Sequence, residues 1–315
     1  MKFKKPSFWD EKKQNIISFC LLPFTFPILI NNFFLDKKSN TKPQNIKTIC
    51  VGNIYVGGTG KTSIAIELKK ILDKEKIKTC FIKKEHKDQI DEQKLLEKFG
   101  KTFINRSRLK ALKNAIEENY DLAIFDDGLQ DTSVSYDLSF VCFNKKNLIG
   151  NGRLIPAGPL RENIKNIKNY DDIFLNGNDE NVDSFVNILR NENMNLNIYE
   201  SKYEIQNFDQ INKEKDYIVF SGIGNHSTFI DTLKKNKIKI IKDIEYPDHY
   251  EYSQEDLNKI FKIAKNNNAK ILTTEKDYLR LNQKNQDNIN FIKIFLKIDK
   301  IDRLRERLKI LYENN

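Results

Sequence analysis

The sequence predicts an α/β protein, with a mostly parallel sheet flanked by helices and a smaller second α/β domain. Short β-branched runs alternate with helical stretches from Ile46 onward, which is typical of βαβ units. A glycine-rich turn joins one of these strands to a helix, and two aspartates end another strand. At 315 residues, the chain has room for about two domains of ordinary size.

The composition excludes several classes of protein. With 39% hydrophobic and 31% charged residues, the chain fits a soluble or peripheral globular protein and not a disordered, collagen-like or polytopic membrane chain. The cysteines form no CxxC pair, so neither a disulfide framework nor a thiolate zinc site is indicated, and a reducing cytosol is expected. The net charge of +10 is compatible with an anionic partner such as nucleic acid, a phospholipid surface or a phosphorylated substrate. The alternative is that the charge has no functional meaning. An AT-rich genome encodes many lysines regardless of function, and the lysines of this chain are scattered along it.

Residues 1–40 are predicted to form a membrane-interface segment. Its apolar stretch, 16–35, has the length of a spanning helix, but it is interrupted at Pro23, Pro27, Asn31 and Asn32. Basic and aromatic residues precede the stretch, at Lys2, Lys4, Lys5, Phe8 and Trp9. We expect an interfacial anchor with Trp9 and the lysines at the level of the lipid headgroups, while a buried core helix and a true membrane span remain alternatives.

A first α/β domain is predicted over residues 41–200. Its candidate strands are 47–51, 78–82, 122–125, 138–143 and 172–175. Apolar residues at helical spacing predict helices over 61–74 and 106–118.

A smaller α/β domain is predicted over residues 201–298, preceded by extended connecting chain over 196–207. Its candidate elements are a strand and glycine turn from 216, a helix over 226–235, a strand over 238–244, a helix ending at 265 and a strand over 270–273. Ser253 and Asp256 resemble the capping start of that second helix. Residues 299–315 are predicted to form a C-terminal helix that could pack on the first domain.

The turn between the first strand and its helix has the pattern of a phosphate-binding loop. Glycines let backbone N–H groups close around phosphate oxygens, the following helix directs its positive end at them, and Lys61 adds charge. The candidate nucleotide contacts are Gly57, Gly58, Thr59, Gly60, Lys61, Thr62 and Ser63. The motif usually has a further glycine where Tyr55 stands. A structural turn is the alternative, but the strand before it and the helix after it favour a fold of the P-loop NTPase type.

Asp126 and Asp127 follow another strand of the same sheet. Ligands of open α/β sheets bind at the carboxyl ends of strands, so both carboxylates can reach a metal ion held by Thr62. Hard oxygen ligands suit Mg²⁺. An ordinary Asp-Asp-Gly turn is the alternative, which the phosphate loop makes less favourable.

Two further features have open interpretations. Residues 148–162, which we name the arginine loop, contain Arg153 and Arg161, which could clamp an anionic acceptor, or the loop could be a long surface turn. His249 is one of three histidines, and it could titrate near neutral pH in catalysis or be a surface or core residue. The segment 273–277 could cap a helix or contribute to a site.

Several motifs in fixed order resemble one family, the tetraacyldisaccharide 4'-kinases. They are Phe8-Trp9, VGNIYVGGTGKT, DDGLQ, GNGRLIPAGPLRE, GIGN, PDHY and TTEKDYLRL, and together they cover most of the chain. The resemblance implies transfer of the γ-phosphoryl group of ATP to the 4'-hydroxyl of tetraacyldisaccharide 1-phosphate, a lipid A precursor. It implies ATP and Mg²⁺ as cofactors, a glycolipid substrate, and work on the cytoplasmic face of the bacterial inner membrane. Neither nucleic acid nor an obligate protein partner is expected.

The resemblance also implies roles for particular residues. An acidic motif of the family aligns with residues 90–93, so Asp91 would be the catalytic carboxylate, assisted by His249, and Glu92 would support the magnesium site. Without the resemblance, Asp91 and Glu92 would be interpreted as a solvated helix start. The substrate candidates are Gln130, Asn151, Arg161 and Glu162. Since Asp91 and His249 come from different predicted units, catalysis is expected to require that the units close on each other.

The chain departs from the family pattern at four places. Residues 82–85 read Ile-Lys-Lys-Glu where the family usually has S-R-G-Y. Asp131 replaces a histidine after DDGLQ, Tyr136 replaces an arginine, and His226 replaces a proline after GIGN.

Two rival functions come from other classes. A P-loop GTPase or ATPase switch protein would act on a protein partner, but residues 144–147 read Asn-Lys-Lys-Asn and lack the aspartate of the guanine-binding N-K-x-D motif. A nonenzymatic basic membrane adaptor would leave the Gly-Lys-Thr and Asp-Asp motifs unexplained.

Overall fold

The computed structural model describes residues 5–11, 15–35, 45–86, 89–178 and 181–313. Lys2 and Lys4, which we expected at headgroup level, lie outside the described residues. The strands are β1 (Lys47–Gly52), β2 (Thr79–Lys84), β3 (Thr102–Asn105), β4 (Leu122–Asp126), β5 (Leu138–Asn144), β6 (Asp172–Asn176), β7 (Asn197–Ile205), β8 (Asp216–Ser221), β9 (Lys239–Glu245), β10 (Lys270–Thr274), β11 (Asn290–Ile292) and β12 (Ile294–Ile298). The α-helices are α1 (Ile16–Cys20), α2 (Phe26–Leu35), α3 (Lys61–Lys74), α4 (Ile90–Glu97), α5 (Arg108–Glu117), α6 (Asp183–Glu192), α7 (His226–Lys235), α8 (Gln254–Asn266), α9 (Glu275–Arg280), α10 (Gln283–Gln286) and α11 (Ile301–Glu313).

Two sheets organise these elements. Eight strands lie in the order β12-β7-β6-β5-β1-β4-β2-β3, and four lie in the order β11-β10-β8-β9. The central strand β1 pairs in parallel with both β4 and β5. The predicted mostly parallel sheet with flanking helices and a second, smaller sheet is confirmed. The extended conformation predicted over 196–207 is present in β7, but its interpretation as a connecting segment is wrong, because β7 pairs in parallel with β6.

Apolar side chains fix α3 against the larger sheet. Ile64, Ala65, Leu68 and Leu72 are fully buried, at the three- and four-residue spacing that places them on one helix face. α3 begins at Lys61, directly after the glycine-rich turn. Packing of this helix therefore fixes the position of the turn at the carboxyl end of β1.

The described residues divide into two compact units. The larger unit contains residues of 5–85, 96–202 and 298–313, and the smaller unit contains His86, 89–95 and 203–297. The start of α4, which carries Asp91 and Glu92, thus groups with the smaller unit. The expectation that Asp91 and His249 lie in different units is wrong. The smaller unit combines residues 89–95 with residues 203–297, although 96–202 of the larger unit lies between them in the chain.

The apolar segment before β1 is broken into short helices. α1 and α2 are separated by a 3-10 turn over Leu22–Thr25 that contains Pro23. Large apolar side chains on these helices face solvent, among them Ile16, Phe19, Phe24 and Phe26, whose exposed fractions lie between 59% and 82%. The alternative of a buried core helix is therefore wrong. Within the described residues, the helices are all too short or too polar to cross a bilayer.

Trp9 and Lys5 do not have the exposure that we expected at a lipid interface. Trp9 is buried, and its indole Nε1 donates to the carbonyl oxygen of Pro156 at 3.0 Å. Lys5 Nζ lies 2.6 Å from Asp10 Oδ2 and 2.7 Å from the hydroxyl oxygen of Tyr55. These residues attach the N-terminal segment to the body of the larger unit, so the expectation of Trp9 at headgroup level is wrong.

Candidate active site

The turn between β1 and α3 forms the candidate phosphate loop. Gly57 and Gly60 have φ angles of 138° and 85°, which side chains with a Cβ rarely adopt. The first backbone N–H groups of α3 have no intrahelical acceptor and face the turn. Gly57, Gly58, Gly60 and Lys61 are all partly exposed. The turn can therefore present backbone donors and an ammonium group to an anion.

Two buried asparagines hold the phosphate loop in shape. Asn53 Nδ2 donates to Thr59 Oγ1 at 3.1 Å and to the carbonyl oxygen of Gly57 at 3.3 Å. Asn176, at the end of β6, donates to the carbonyl oxygen of Thr59 at 2.7 Å. Both asparagines are fully buried. The chain's own side chains thus set the loop geometry.

Asp126 lies at the carboxyl end of β4, beside the first residues of α3. Its Oδ2 atom accepts a hydrogen bond from Thr62 Oγ1 at 3.2 Å and lies 2.6 Å from Lys83 Nζ. Lys83 is the register partner of Asp126 on the neighbouring strand β2. Asp126 is fully buried, and Lys83 is 1% exposed. The structure therefore brings together Thr62 and Asp126, two of the four residues that we predicted at the metal site; the roles of Asp127 and Glu92 there stay predictions.

The donor set at this position fits Mg²⁺. Asp126 Oδ1 is buried and finds no hydrogen-bond partner within the described part of the chain, so one carboxylate oxygen is available to a metal ion or to its water. No three His, Cys, Asp or Glu side chains of residues 5–11, 15–35, 45–86, 89–178 and 181–313 are grouped as a metal cage. Mg²⁺ commonly binds through one or two protein carboxylates together with phosphates and water, which this small donor set permits.

Asp127 is surrounded by two cations of the larger unit. Its Oδ1 atom lies 3.7 Å from Lys61 Nζ and 3.3 Å from Arg161 Nη1. Its φ angle is 60°, and its N–H donates to the carbonyl oxygen of Val51 in β1. Asp127 therefore holds the phosphate-loop lysine and the arginine-loop guanidinium at one place.

Three of the four predicted substrate residues form one cluster. Arg161 Nη1 lies 3.4 Å from Gln130 Oε1, and Gln130 Nε2 donates to Glu162 Oε1 at 2.7 Å. Glu162 is 6% exposed and also accepts from the hydroxyl group of Tyr170 at 2.9 Å. This network orients Arg161, which remains about one-third exposed and can meet an anion.

The fourth substrate candidate, Asn151, contacts the N-terminal segment. Its Nδ2 atom donates to Ser18 Oγ at 3.1 Å and to the carbonyl oxygen of Ala157 at 3.0 Å, and its N–H donates to the carbonyl oxygen of Trp9 at 2.8 Å. Arg153 Nη1 also donates to Ser18 Oγ, at 3.0 Å. The described contacts of Asn151 are thus structural, and its contact with a substrate stays a prediction.

In the smaller unit, the structure brings Asp91 and His249 together. His249 Nδ1 lies 3.0 Å from Asp91 Oδ1, and Arg280 Nη2 donates to Asp91 Oδ2 at 2.8 Å. Asp91 is 2% exposed, so the interpretation of a solvated helix start is wrong. Burial alone would raise the pKa of Asp91, but the hydrogen bond from His249 and the charges of Lys276 and Arg280 outweigh burial and hold this pKa well below its usual range. Asp91 is therefore an ionised, oriented carboxylate at neutral pH.

Glu92, the predicted supporting metal ligand, forms an ion pair with Lys276. Lys276 Nζ lies 2.9 Å from Glu92 Oε1, and both residues belong to the smaller unit. The role of Glu92 at a magnesium site stays a prediction.

Arg280 is a site residue that the sequence analysis missed. Its Nη1 atom lies 2.7 Å from Asp277 Oδ1, while Nη2 contacts Asp91. Asp277 is fully buried and accepts further hydrogen bonds from the hydroxyl group of Tyr252 and the N–H of Gly222. Thr274 caps α9 through the N–H of Asp277, so the segment 273–277 both caps a helix and supports the Asp91 site. Arg280 lies within the family motif TTEKDYLRL, one helical turn after Asp277, but the sequence analysis assigned no role to it.

The model of the LpxK family, described as tetraacyldisaccharide-1-P 4'-kinase, matches residues 28–312. The chain belongs to this kinase family.

Relatives named tetraacyldisaccharide 4'-kinase match along the full chain. One from Pelagibacter ubique is 52% identical over 317 residues, with 100% of each chain covered. One from Rickettsia typhi is 34% identical over 327 residues, with 98% of each chain covered. The crystal structure of LpxK from Aquifex aeolicus, an "apo" form in complex with ATP, aligns with a TM-score of 0.68 at 24% identity, covering 94% of this chain and 99% of that one. This structure supports the fold, and the resemblance to the kinase family is confirmed.

One departure from the family pattern, at Asp131, and the departure from the usual phosphate-loop motif, at Tyr55, have a structural explanation. Asp131, in place of a histidine, accepts from Arg108 Nη1 at 3.0 Å and from Ser133 Oγ at 2.6 Å. Arg108 also donates to the backbone carbonyl oxygen of Asp127. Tyr55, in place of a loop glycine, is buried and hydrogen-bonds to the N-terminal segment through Asp10. Asp131 thus supports the Asp127 turn, and Tyr55 anchors the segment before β1.

Proposed function

We propose that this protein transfers the γ-phosphoryl group of ATP to the 4'-hydroxyl of tetraacyldisaccharide 1-phosphate in lipid A biosynthesis. Membership of the 4'-kinase family over nearly the whole chain is the observation that carries this conclusion. The family membership does not favour the alternative of a GTPase or ATPase switch protein. The preformed phosphate loop and the buried Asp91–His249 pair supply the two kinds of group that phosphoryl transfer to an alcohol needs.

The nucleotide side of the reaction belongs to the larger unit. Backbone N–H groups of the phosphate loop bind the phosphates of ATP, and Lys61 neutralises charge that develops on the transferring group. In the structure Lys61 Nζ lies 3.7 Å from Asp127 Oδ1, and Arg161 Nη1 lies 3.3 Å from the same oxygen. When bound, Mg²⁺ would neutralise phosphate charge, held by Thr62 and Asp126, with Asp127 and Glu92 as further proposed ligands.

The acceptor side of the reaction belongs to the smaller unit. Ionised Asp91 can only accept a hydrogen bond, so His249 donates its Nδ1–H to this carboxylate, and Nε2 is then the ring nitrogen that takes the proton of the sugar hydroxyl. The low pKa of Asp91 makes this carboxylate a weak proton acceptor by itself, which supports His249 as the acceptor and Asp91 as the group that orients the ring.

The arginine loop supplies recognition of the acceptor. Arg161 is oriented by Gln130 and Glu162 and retains enough exposure to contact an anionic group of the glycolipid. A planar guanidinium group binds phosphate oxygens in a two-pronged geometry, which suits the 1-phosphate of this substrate.

The exposed apolar side chains before β1 are proposed to contact the cytoplasmic face of the inner membrane. Phe19, Phe24 and Phe26 form solvent-facing apolar surface on short helices. Amphipathic helices with aromatic residues bind at the level of lipid headgroups and upper acyl chains. An acceptor with four acyl chains resides in that same layer.

The test is transfer of label from [γ-³²P]ATP to lipid. Purified protein is incubated with labelled ATP, Mg²⁺ and tetraacyldisaccharide 1-phosphate in detergent, and the lipid is extracted. We expect label in the lipid phase that depends on the acceptor and is lost in Lys61→Ala. Release of inorganic phosphate with no labelled lipid, at a rate unaffected by the acceptor, would instead support a switch protein.

A further inference from the structure

A buried lysine lies beside Asp126, next to the candidate phosphate loop, and neither the phosphate-loop motif nor the Asp-Asp motif includes it. Lys83 is 1% exposed at the carboxyl end of β2, and its Nζ atom lies 2.6 Å from Asp126 Oδ2. The same oxygen accepts from Thr62 Oγ1 at 3.2 Å. Lys83 belongs to the segment 82–85, where the chain departs from the family's usual S-R-G-Y.

The contact fixes both the charge and the direction of the Asp126 carboxylate. Buried ionic groups persist in proteins when they are paired, so the 2.6 Å contact indicates an ammonium–carboxylate pair. The pair carries no net charge, and it turns Oδ2 toward Lys83 and Thr62. Oδ1 remains without a hydrogen-bond partner in the described structure. Asp126 therefore attracts a divalent cation less strongly than an unpaired carboxylate would.

We propose that Lys83 is a positioning residue that acts through Asp126 and supplies a fixed positive charge at the nucleotide site, so that ATP binding depends less on Mg²⁺. The inference rests on the proposed kinase function, because it concerns the same nucleotide. Because Lys83 cancels the negative charge of Asp126, ATP meets less repulsion at this position, and a metal ion has less negative charge to neutralise.

An electrostatic role of Lys83 can be distinguished from a purely structural one by two binding affinities, those for a metal cation and for metal-free ATP. Removing the positive charge strengthens the attraction of the site for a cation and weakens its attraction for metal-free ATP, because the two ligands have opposite charge. Damage to the fold of the site would weaken the binding of both ligands.

The experiment uses Lys83→Gln, in which an amide N–H can still donate to Asp126 while the charge is absent. Binding of Mn²⁺ alone to nucleotide-free protein is measured by electron paramagnetic resonance, and binding of ATP in EDTA is measured by isothermal titration calorimetry. We expect Lys83→Gln to bind Mn²⁺ about tenfold more tightly and metal-free ATP about tenfold more weakly than the wild type.

Two control variants separate charge from packing. Lys83→Arg keeps the charge and is expected to keep both affinities within about threefold of the wild type. Lys69→Gln removes another buried lysine of the same unit, whose Nζ lies 2.7 Å from Asp73 Oδ1, and is expected to leave both affinities unchanged.

Each outcome decides the question. Opposite shifts of the two affinities in Lys83→Gln, without such shifts in Lys69→Gln, support the proposal. Loss of both affinities, no change in either, or failure of Lys83→Gln to fold while Lys83→Arg shows altered affinities, would each overturn it. Binding of Mg²⁺–ATP by the wild type is measured alongside, so that a protein that binds no nucleotide counts against the proposed function and not against Lys83 alone.

Discussion

His249 Nδ1 lies 3.0 Å from Asp91 Oδ1, although 158 residues separate the two along the chain. The backbone N–H of His249 donates to the carbonyl oxygen of Gly222, and the φ angle of His249 is 55°. A residue that adopts this uncommon backbone conformation to reach a buried carboxylate is typical of functional sites.

The Asp91–His249 pair gives the first prediction. His249→Asn and Asp91→Asn are each expected to lower kcat by about 10²- to 10⁴-fold, because a positioned proton acceptor contributes an effect of that size. Binding of ATP should stay unchanged, since neither residue belongs to the phosphate loop. The matched control is His86→Asn, an exposed histidine to which we assign no role. Full turnover of His249→Ala at saturating concentrations of both substrates would show that the pairing is not catalytic.

Arg280 gives the second prediction. Its guanidinium group joins two buried carboxylates, those of Asp91 and Asp277. Arg280→Met leaves both without this cation, so we expect the free energy of unfolding to fall by about 3 to 5 kcal/mol. Arg280→Lys restores one contact but not the two-pronged geometry, so it should recover most of the stability and leave kcat reduced by about tenfold with little change in KM. Urea unfolding and steady-state kinetics measure the two effects. Equal recovery of stability and kcat in Arg280→Lys would contradict a role in orienting Asp91.

Lys61 gives the third prediction. Lys61→Ala is expected to lower kcat/KM for ATP by at least about a hundredfold, because it removes a charge that acts on the transferring phosphoryl group. The control is Lys70→Ala on the same helix, which removes a lysine paired with Glu67 away from the turn. Normal activity of Lys61→Ala would remove the assignment of residues 57–63 as the phosphate loop.

The ion pair of Asp131 with Arg108 gives a prediction about pH. Burial by itself would raise the pKa of Asp131, but the hydrogen bonds from Ser133 and the contact with Arg108 hold this pKa below its usual range. Because the pKa is lower in the folded state, the stabilisation is fully present above the usual aspartate pKa of about 3.9 and is lost as the pH falls through the lowered value. At pH 7, Asp131→Asn should therefore reduce the free energy of unfolding by about 1 to 2 kcal/mol.

Urea unfolding of the wild type and Asp131→Asn between pH 7 and pH 3 measures this effect. The difference between the two proteins should shrink in the acid range. Asp73→Asn, which removes an exposed partner of Lys69, is the control and should change stability by less than about 1 kcal/mol. A difference for Asp131→Asn that stays constant across this range would contradict the contribution of the ionised carboxylate.

The apolar residues before β1 give the fifth prediction. The double variant Phe24→Ser/Phe26→Ser is expected to bind phospholipid vesicles at least about tenfold more weakly, because two phenyl groups are no longer transferred from water. Both side chains are about two-thirds exposed, so thermal stability should hardly change. Met194→Ser removes an 87% exposed apolar side chain elsewhere and should leave vesicle binding intact. Vesicle flotation measures the binding, and equal flotation of the double variant and the wild type would contradict membrane contact through this segment.

Most of the fold could be predicted from the sequence, because its signals are local. The helix predicted over 61–74 has the same bounds in the structure, since apolar spacing and the preceding glycines mark both its face and its start. The short strands β3, β11 and β12 were missed, because each has only three to five residues and gains its stability from pairing with neighbours that are distant in sequence.

The candidate site was less accessible to sequence reasoning than the fold. The proximity of Thr62 and Asp126 could be predicted, because both lie at the carboxyl ends of strands of one parallel sheet. Lys83 and Arg280 could not, since a lysine in a strand and an arginine at a helix end are ordinary on a surface, and only the tertiary structure shows their burial beside carboxylates. The assignment of Asp91 came from family resemblance, because its pairing with His249 has no local signal.

The hydrogen bonds of Asn151 join the arginine loop to Ser18, whose neighbours on α1 face solvent. With the proposed membrane contact through the side chains before β1, the sugar headgroup can be phosphorylated while its acyl chains stay in the hydrocarbon layer. Extraction of a lipid into water costs about 0.8 kcal/mol for every methylene, so an enzyme that lifted this acceptor out would face a prohibitive barrier at each turnover. An enzyme whose exposed apolar side chains lie next to the arginine loop avoids that barrier, because the acceptor does not have to leave the membrane.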